Sequence, residues 1–314
     1  MHEFAPLYVY TTISSVNKAN QHGELEYHLR YRGIPVAALK YNDSKEYFEL
    51  TEKELGLEKF NFPDKSNLAG VPWKGKNATR IREYFKNYTI SDDTWEKEAR
   101  LESALITELR KSDRKAKLIS KIQPITLMDS RFQMRTAFAA SELKNVFSET
   151  EREIASVFEY ERGKGKGGGI DLMCRVGTGR RTNLAIFELK DENNSNEPPH
   201  AALSQALAYA VFIRILLRSD AANGTAWWEH LFGFTPPIPK KLTIDVVAAM
   251  PLKKGESSDS DSKPFFANKS IKMSQVFGDD EYGDDEFKMH YMFFDIDKSN
   301  NDRVTYIKTS LDVK

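Results

Sequence analysis

The chain carries 314 residues, 40% of them hydrophobic and 29% charged, with lysine plus arginine balancing aspartate plus glutamate at 46 each. That is the make-up of an ordinary soluble globular protein, with enough length to bury a substantial core in one large or two modest domains. Zero net charge excludes a whole-molecule pull on a polyanion, so a nucleic-acid partner has to be met by local patches, and a lone cysteine, Cys174, excludes an internal disulfide or a zinc cluster of paired cysteines.

The first residues, MHEFAPLYVYTTISS, lack the basic start and long apolar stretch of a signal peptide. No apolar run approaches the roughly 18 residues of a spanning helix. A cytoplasmic protein with no membrane partner is expected. Residues 1–90 mix strand-like runs with turns. LYVYTTI and GIPVAALKY are rich in the aromatic and branched residues that strands prefer. FPDKSNLAGVPWKGKN reads as a loop, and a helix follows from NATRIREYFKNY. These elements predict an N-terminal α+β domain over residues 1–90 whose role the sequence leaves open, with recognition of DNA or of a partner as the candidate.

SDDTWEKEARLESALITELRKSDRKAK is the clearest helix. Ser91 or Asp92 can cap it, acids fill its first turns and bases crowd its end. At about 100° per residue, Trp95, Leu101, Leu105, Ile106 and Leu109 share one arc. Glu98 and Glu102 fall inside that arc, where an amphipathic helix normally carries no charge. QPITLMDSRFQMRTAFAAS then suggests one or two strands, and residues 139–168 form an insertion ending in a basic glycine run. GGGIDLMCRVGTGRRTNLAIFELKDE reads as a hairpin turned at GTGRRTN. A buried helix, PPHAALSQALAYAVFIRILLRS, and an apolar strand, KLTIDVVAAM, come next. The six carboxylates between Asp279 and Glu286 read as a solvent-exposed loop, and a hairpin around KSNND closes the chain. The middle of the chain therefore runs helix, strand, strand, strand, helix, strand. That order predicts an α/β fold with a mixed sheet flanked by helices, in a second domain spanning 91–314.

Asp171 opens the first strand of the central hairpin, while Glu188 interrupts the second and Lys190 closes it. Unpaired charge in a dry sheet costs several kcal/mol, so these groups must share something. Carboxylates at the ends of neighbouring strands can hold a hard divalent cation, and Mg2+ suits such a site because it needs only one or two of them. The Leu189 carbonyl could add an oxygen. Alternation places Glu188 and Lys190 on one face, where the lysine can orient a water and offset charge growing on a phosphate. The chemistry this points to is phosphodiester hydrolysis.

In this order the residues resemble the PD-(D/E)xK nuclease superfamily. Asp171 in GGGIDLM stands for its lone aspartate, with Ile170 where the pattern often has proline, and Glu188-Leu189-Lys190 stands for the tripeptide. Gln205 and Tyr209 in QALAY match the Gln-x-x-x-Tyr helix of one large branch. EARLESAL resembles the first core helix, with Glu98 or Glu102 facing the metal; Glu98 is preferred because Leu101 follows three residues later. The resemblance covers about residues 92 to 250, roughly half of the chain. It implies a restriction endonuclease-like αβββαβ core, with Mg2+ or Mn2+ held by Asp171 and Glu188 and helped by Glu98 or Glu102. Lys190 would assist the attacking water, and Gln205 with Tyr209 would support the site. The substrate implied is DNA, cut by an endodeoxyribonuclease of restriction, phage defence or repair. The same resemblance implies a homodimer, since many such enzymes pair two sites.

Each residue also has a plainer reading. Asp171 could cap a turn, and Glu188 with Lys190 could decorate an edge strand, although LAIF argues for a central one. Glu98 suits the positive end of a helix dipole, and Gln205 with Tyr209 could be a core pair one turn apart. The six bases from Arg110 to Lys121, with Lys164, Lys166, Arg175, Arg180 and Arg181, could bind phosphates or form solvated faces. Trp227 and Trp228 suit a core or interface better than base stacking. His200 precedes the Gln205 helix, and Cys174 reads as a buried thiol. Two rival functions keep the same fold: a non-catalytic nucleic-acid-binding or assembly subunit, and an RNase or toxin-like effector.

Overall fold

The computed structural model describes residues 6–13, 27–31, 34–42, 44–45, 47–51, 56–63, 68–88, 97–111, 116–125, 134–138, 170–179, 181–190, 199–219, 228–229, 232–252, 270–278, 281–297, 299 and 303–311. They build two β-sheets that share one apolar core, and the larger sheet is mixed and flanked by helices, an α/β arrangement.

The smaller sheet runs β4-β3-β2-β1-β6. Strands β1 (Tyr8–Ile13), β2 (Tyr27–Tyr31), β3 (Ile34–Asn42) and β4 (Tyr47–Leu50) form an antiparallel meander. β6 (Met134–Phe138) joins the far side of β1 in parallel, with Val9 opposite Met134. The sheet whose other strands come from the first 50 residues thus borrows a strand from beyond residue 130. Helix α1 (Gly75–Lys86) turns Ala78, Ile81 and Phe85 inward. Phe85 meets Phe60 edge-on at 5.0 Å and Tyr31 at 4.8 Å.

The larger sheet runs β10-β11-β9-β8-β7-β5, with β12 on the second half of β11. β5 (Ile122–Pro124), β7 (Leu172–Thr178) and β8 (Arg181–Leu189) are antiparallel to their neighbours in turn. β9 (Thr243–Pro251) lies parallel to β8, and β11 (Glu286–Asp297) parallel to β9. β10 (Ser270–Lys272) and β12 (Arg303–Thr309) finish the outer edge.

Alternation along β8 divides its side chains between two layers. Leu184 and Ile186 join Ile244 and Val246 under helix α3 (Pro199–Ser219). Ala185, Phe187 and Leu189 join Val247 and Ala249 under Leu105, Ile106 and Leu109 of helix α2 (Lys97–Leu109). Full burial of each large side chain here stabilises by about 1.5–3 kcal/mol. No described helix is long and apolar enough to cross a membrane.

Helix α2 is shorter than its sequence suggests. It ends at Leu109, whose carbonyl accepts from Lys117 Nζ at 3.0 Å, and Lys111 pairs with Glu108. The proposed caps Ser91 and Asp92, Trp95, and the insertion 139–168 lie outside the described residues. In the acidic run Glu281 and Asp284 are exposed in a turn, as its composition suggests, but Asp285 is not. Asp285 is buried, taking Arg214 Nε at 2.8 Å, Arg218 Nη2 at 2.9 Å and the Leu242 amide at 2.7 Å. Glu286 already belongs to β11. Two arginines, 67 and 71 residues away in the chain, supply the countercharge that lets Asp285 leave water.

Candidate active site

The β7–β8 hairpin turns at Gly179, where φ is 59° and glycine carries no steric cost. Its register pairs Thr178 with Arg181 and continues to Leu172 opposite Phe187. One step further sets Asp171 across from Glu188. Asp171 Oδ2 accepts the Leu189 amide at 2.7 Å, so the aspartate is pinned to the neighbouring strand. It does not simply cap its own turn.

β8 lies between β7 and β9, with Glu188 opposite Ala248, so Glu188 is not an edge residue. It is 2% exposed and Lys190 is 7% exposed. The Lys190 amide donates to the Ala249 carbonyl at 3.1 Å, which carries the β8–β9 ladder past the end of the strand. Its Nζ donates to Glu188 Oε1 at 2.8 Å. Glu188 shares a face with Leu184 and Ile186, and Asp171 shares one with Met173, and these are the residues that pack toward α3. On α3, Gln205 Nε2 donates to the Tyr209 hydroxyl at 3.1 Å. Burial raises the Tyr209 phenol far above its ordinary value, and the charges of Glu188 and Asp171 add to the effect.

Glu98, in the first turn of α2, brings Oε1 to 3.9 Å from Lys190 Nζ, and its side chain is 43% exposed. Glu102 is buried one turn further along the same helix. The structure thus gathers Asp171, Glu188, Lys190, Glu98, Gln205 and Tyr209 around one place.

Burial, and after it the charge of Asp171, hold the Glu188 carboxyl well above the usual range, with Lys190 opposing and Glu98 adding a little. Glu188 Oε2 is buried without a hydrogen-bond partner. Leaving such an acceptor unmet costs about 1–3 kcal/mol, more when it is charged. A hard divalent cation beside Asp171 and Glu188 would give Oε2 a partner and relieve the repulsion between the two carboxylates. Two carboxylates are enough for Mg2+, which keeps several waters. No group of three or more His, Cys, Asp or Glu in a metal-holding arrangement occurs among the described residues.

Other candidates are not brought to this place. Arg175 donates to the Gly233 carbonyl at 2.8 Å and to Gln123 Oε1 at 3.2 Å, tying β7 to its surroundings. Trp228 is buried, stacked 4.1 Å from Phe234, and serves the core. Cys174 is buried on the α2 face, where desolvation pushes its thiol well up. Lys164, Lys166, Arg180 and Trp227, with the side chains of Arg181 and His200, lie outside the described residues.

One polar row escaped the sequence reading. On the α2 face, Asn183 Nδ2 donates to Asp245 Oδ2 at 3.2 Å. Asp245 Oδ1 lies 3.1 Å from His290 Nε2, and His290 Nδ1 lies 3.4 Å from Ser310 Oγ. An aspartate inside the apolar strand KLTIDVVAAM was the available signal, of the same kind that marked Glu188. No family model, curated protein or solved structure matches the chain.

Proposed function

We propose that this chain is a Mg2+- or Mn2+-dependent deoxyribonuclease of the PD-(D/E)xK kind, hydrolysing DNA phosphodiester bonds as an endonuclease. The observation that carries the reading is the buried, partnerless Oε2 of Glu188 beside Asp171, with Lys190 held on the other oxygen. A structural ion pair needs only one carboxylate for its lysine. Here the excess of acid leaves one buried carboxylate oxygen unmet, which a cation held with Asp171 would satisfy. The run α2, β5, β7, β8, α3, β9, with helices on both faces of one sheet, supports an αβββαβ core.

Asp171 and Glu188 would hold the cation, which when bound polarises the phosphate and offsets charge growing on its oxygens. The Leu189 amide keeps Asp171 oriented toward that place. Lys190, braced by Glu188 and drawn by Glu98, presents an ammonium that positions the attacking water and steadies the developing oxyanion. Tyr209 keeps its proton at working pH, so with Gln205 it orients neighbours and serves as no base. A cytoplasmic role in restriction, phage defence or repair goes with this chemistry. Cutting both strands would call for two sites, hence a homodimer.

Purified protein incubated with supercoiled plasmid, linear DNA and RNA, in Mg2+, Mn2+ or EDTA, tests the proposal. DNA cleavage that needs the cation, and falls about 100-fold or more in Asp171→Asn and Lys190→Ala, is the expected result. Intact DNA together with no calorimetric signal for divalent binding would end it. DNA binding without cutting would favour a binding subunit, and cleavage confined to RNA would favour an effector ribonuclease.

A further inference from the structure

Helix α1 and the turn before it carry a second surface with nucleic-acid chemistry. Phe62, Tyr84 and Tyr88 line an open pocket of about 520 Å³, with Arg80, Glu83 and Asn87 at its rim. That volume lies within the ~300–1,000 Å³ of small-ligand pockets. The rings are held firmly. Tyr84 meets Phe62 edge-on at 4.9 Å and Tyr88 at 5.6 Å, and its hydroxyl donates to the Phe60 carbonyl at 2.5 Å. Phe60 and Phe85 stand behind Tyr88 at 5.6 and 6.1 Å. Phe62 is buried, whereas Tyr84 and Tyr88 are partly open to solvent. Tyr84 and Tyr88 therefore stand half-buried on a rigid aromatic floor, with Tyr88 also meeting Tyr31 edge-on at 6.2 Å.

The pocket lining itself holds one base, Arg80, and one acid, Glu83, but the segment that bears it is basic although the whole molecule is neutral. From Lys74 to Lys86 the chain has five bases, Lys74, Lys76, Arg80, Arg82 and Lys86, against one acid, Glu83. Lys76 and Arg80 are exposed and one helical turn apart, so they follow one line beside the tyrosines. The Arg80 guanidinium lies 5.3 Å over the Phe62 ring and donates to the Pro63 carbonyl at 2.7 Å, which holds its charge at the mouth of the pocket.

Aromatic faces bordered by a line of cations fit an unstacked nucleobase whose flanking phosphates lie on the cations. Bases in an intact duplex have both faces covered by their neighbours and cannot offer one to a tyrosine. We infer that this pocket takes a nucleobase from single-stranded or locally opened DNA, with Tyr88 under the base and Arg80 and Lys76 on the phosphates. The inference rests on the nuclease reading only in expecting DNA as the ligand, and it assigns to α1 the preference for an opened strand.

The test is fluorescence anisotropy with a labelled oligodeoxythymidylate in EDTA, where no cutting can occur, beside its duplex and an abasic strand of equal length. The thymidylate should bind more tightly than either. Tyr88→Ala should weaken it about 5- to 150-fold, the loss of one stacked base. Tyr88→Phe should restore binding, which separates loss of the ring face from a folding defect. Arg80→Ala should lower the slope of log affinity against log salt by about 0.7. Tyr88→Ala binding like the parent, abasic DNA binding as tightly as thymidylate, or no binding of single strands would overturn the inference. If no DNA is ever cut but Tyr88 still governs binding, the nuclease reading falls and the platform stands. If cutting is robust and Tyr88 is silent, the platform alone falls.

Discussion

Lys190 Nζ donates to Glu188 Oε1 across 2.8 Å inside the sheet, yet Glu188 Oε2 on the same carboxyl has no partner. That asymmetry gives a pH signature. Burial and Asp171 keep a proton on Glu188 that the unfolded chain releases near 4.5. The folded state then binds more protons than the unfolded one above that pH. The stability this provides is complete below about 4.5 and is lost as pH rises through the folded value. Glu188→Gln removes the titration, so urea midpoints from about pH 5 to pH 8 should shift in favour of the variant as pH rises. A difference that stays level with pH would mean that Glu188 is ionised throughout.

Asp285 should matter more for folding than any other member of its acidic run. It receives Arg214, Arg218 and the Leu242 amide, and Tyr282 covers the Arg218 guanidinium at 4.1 Å. Asp285→Ala strands two guanidinium groups beneath the entry to β11, at a cost of about 3–5 kcal/mol in chemical denaturation. Asp284→Ala should change little, because Asp284 and its partner Lys272 are exposed. Equal effects of the two substitutions would contradict the buried clamp.

The hairpin was legible in the sequence because its signals are local. Alternation assigns Glu188 and Lys190 to one face, GTGRR supplies the turn, and charge inside LAIFEL has few places to go. The Gln205–Tyr209 pair was legible too, since helical spacing fixes its geometry. What stayed hidden depends on distant partners. Nothing in MRTAF says that β6 pairs with β1 rather than with β5 or β7. Nothing in the acidic run says that Asp285 meets arginines from α3, and the row Asn183, Asp245, His290 and Ser310 is assembled from four separate chain segments. Glu98 and Glu102 share a helical arc, so only the packing of α2 shows that Glu98 comes within 3.9 Å of Lys190 Nζ.

Gly56 and Gly179 should respond differently to alanine. A Cβ on Gly56 would stand 2.1 Å from the Pro35 carbonyl oxygen, a backbone atom of β3 that cannot move alone. Gly179 has open space around it, so there the penalty is only the left-handed backbone, about 1–2 kcal/mol. Gly56→Ala should lower the unfolding free energy by more than Gly179→Ala, and equal losses would show that the turn at Gly56 yields freely.

Cys174 offers a probe of whether a cation locks the site. It lies in β7, three residues beyond Asp171, and its thiol is fully buried and held well above the usual value by desolvation. Thiol reagents attack the thiolate, so native protein near neutral pH should resist labelling, and unfolded protein should take up one equivalent per chain. Labelling of the folded protein then requires β7 to open. A ligand that binds only the folded state at about 100 times its Kd stabilises by about 2.7 kcal/mol. If labelling proceeds through global opening, saturating Mn2+ should slow it on the order of 100-fold. Asp171→Asn should abolish that slowing without itself exposing the cysteine. Equal protection in parent and variant would place the cation elsewhere, because a ligand that Asp171 does not grip stabilises both alike.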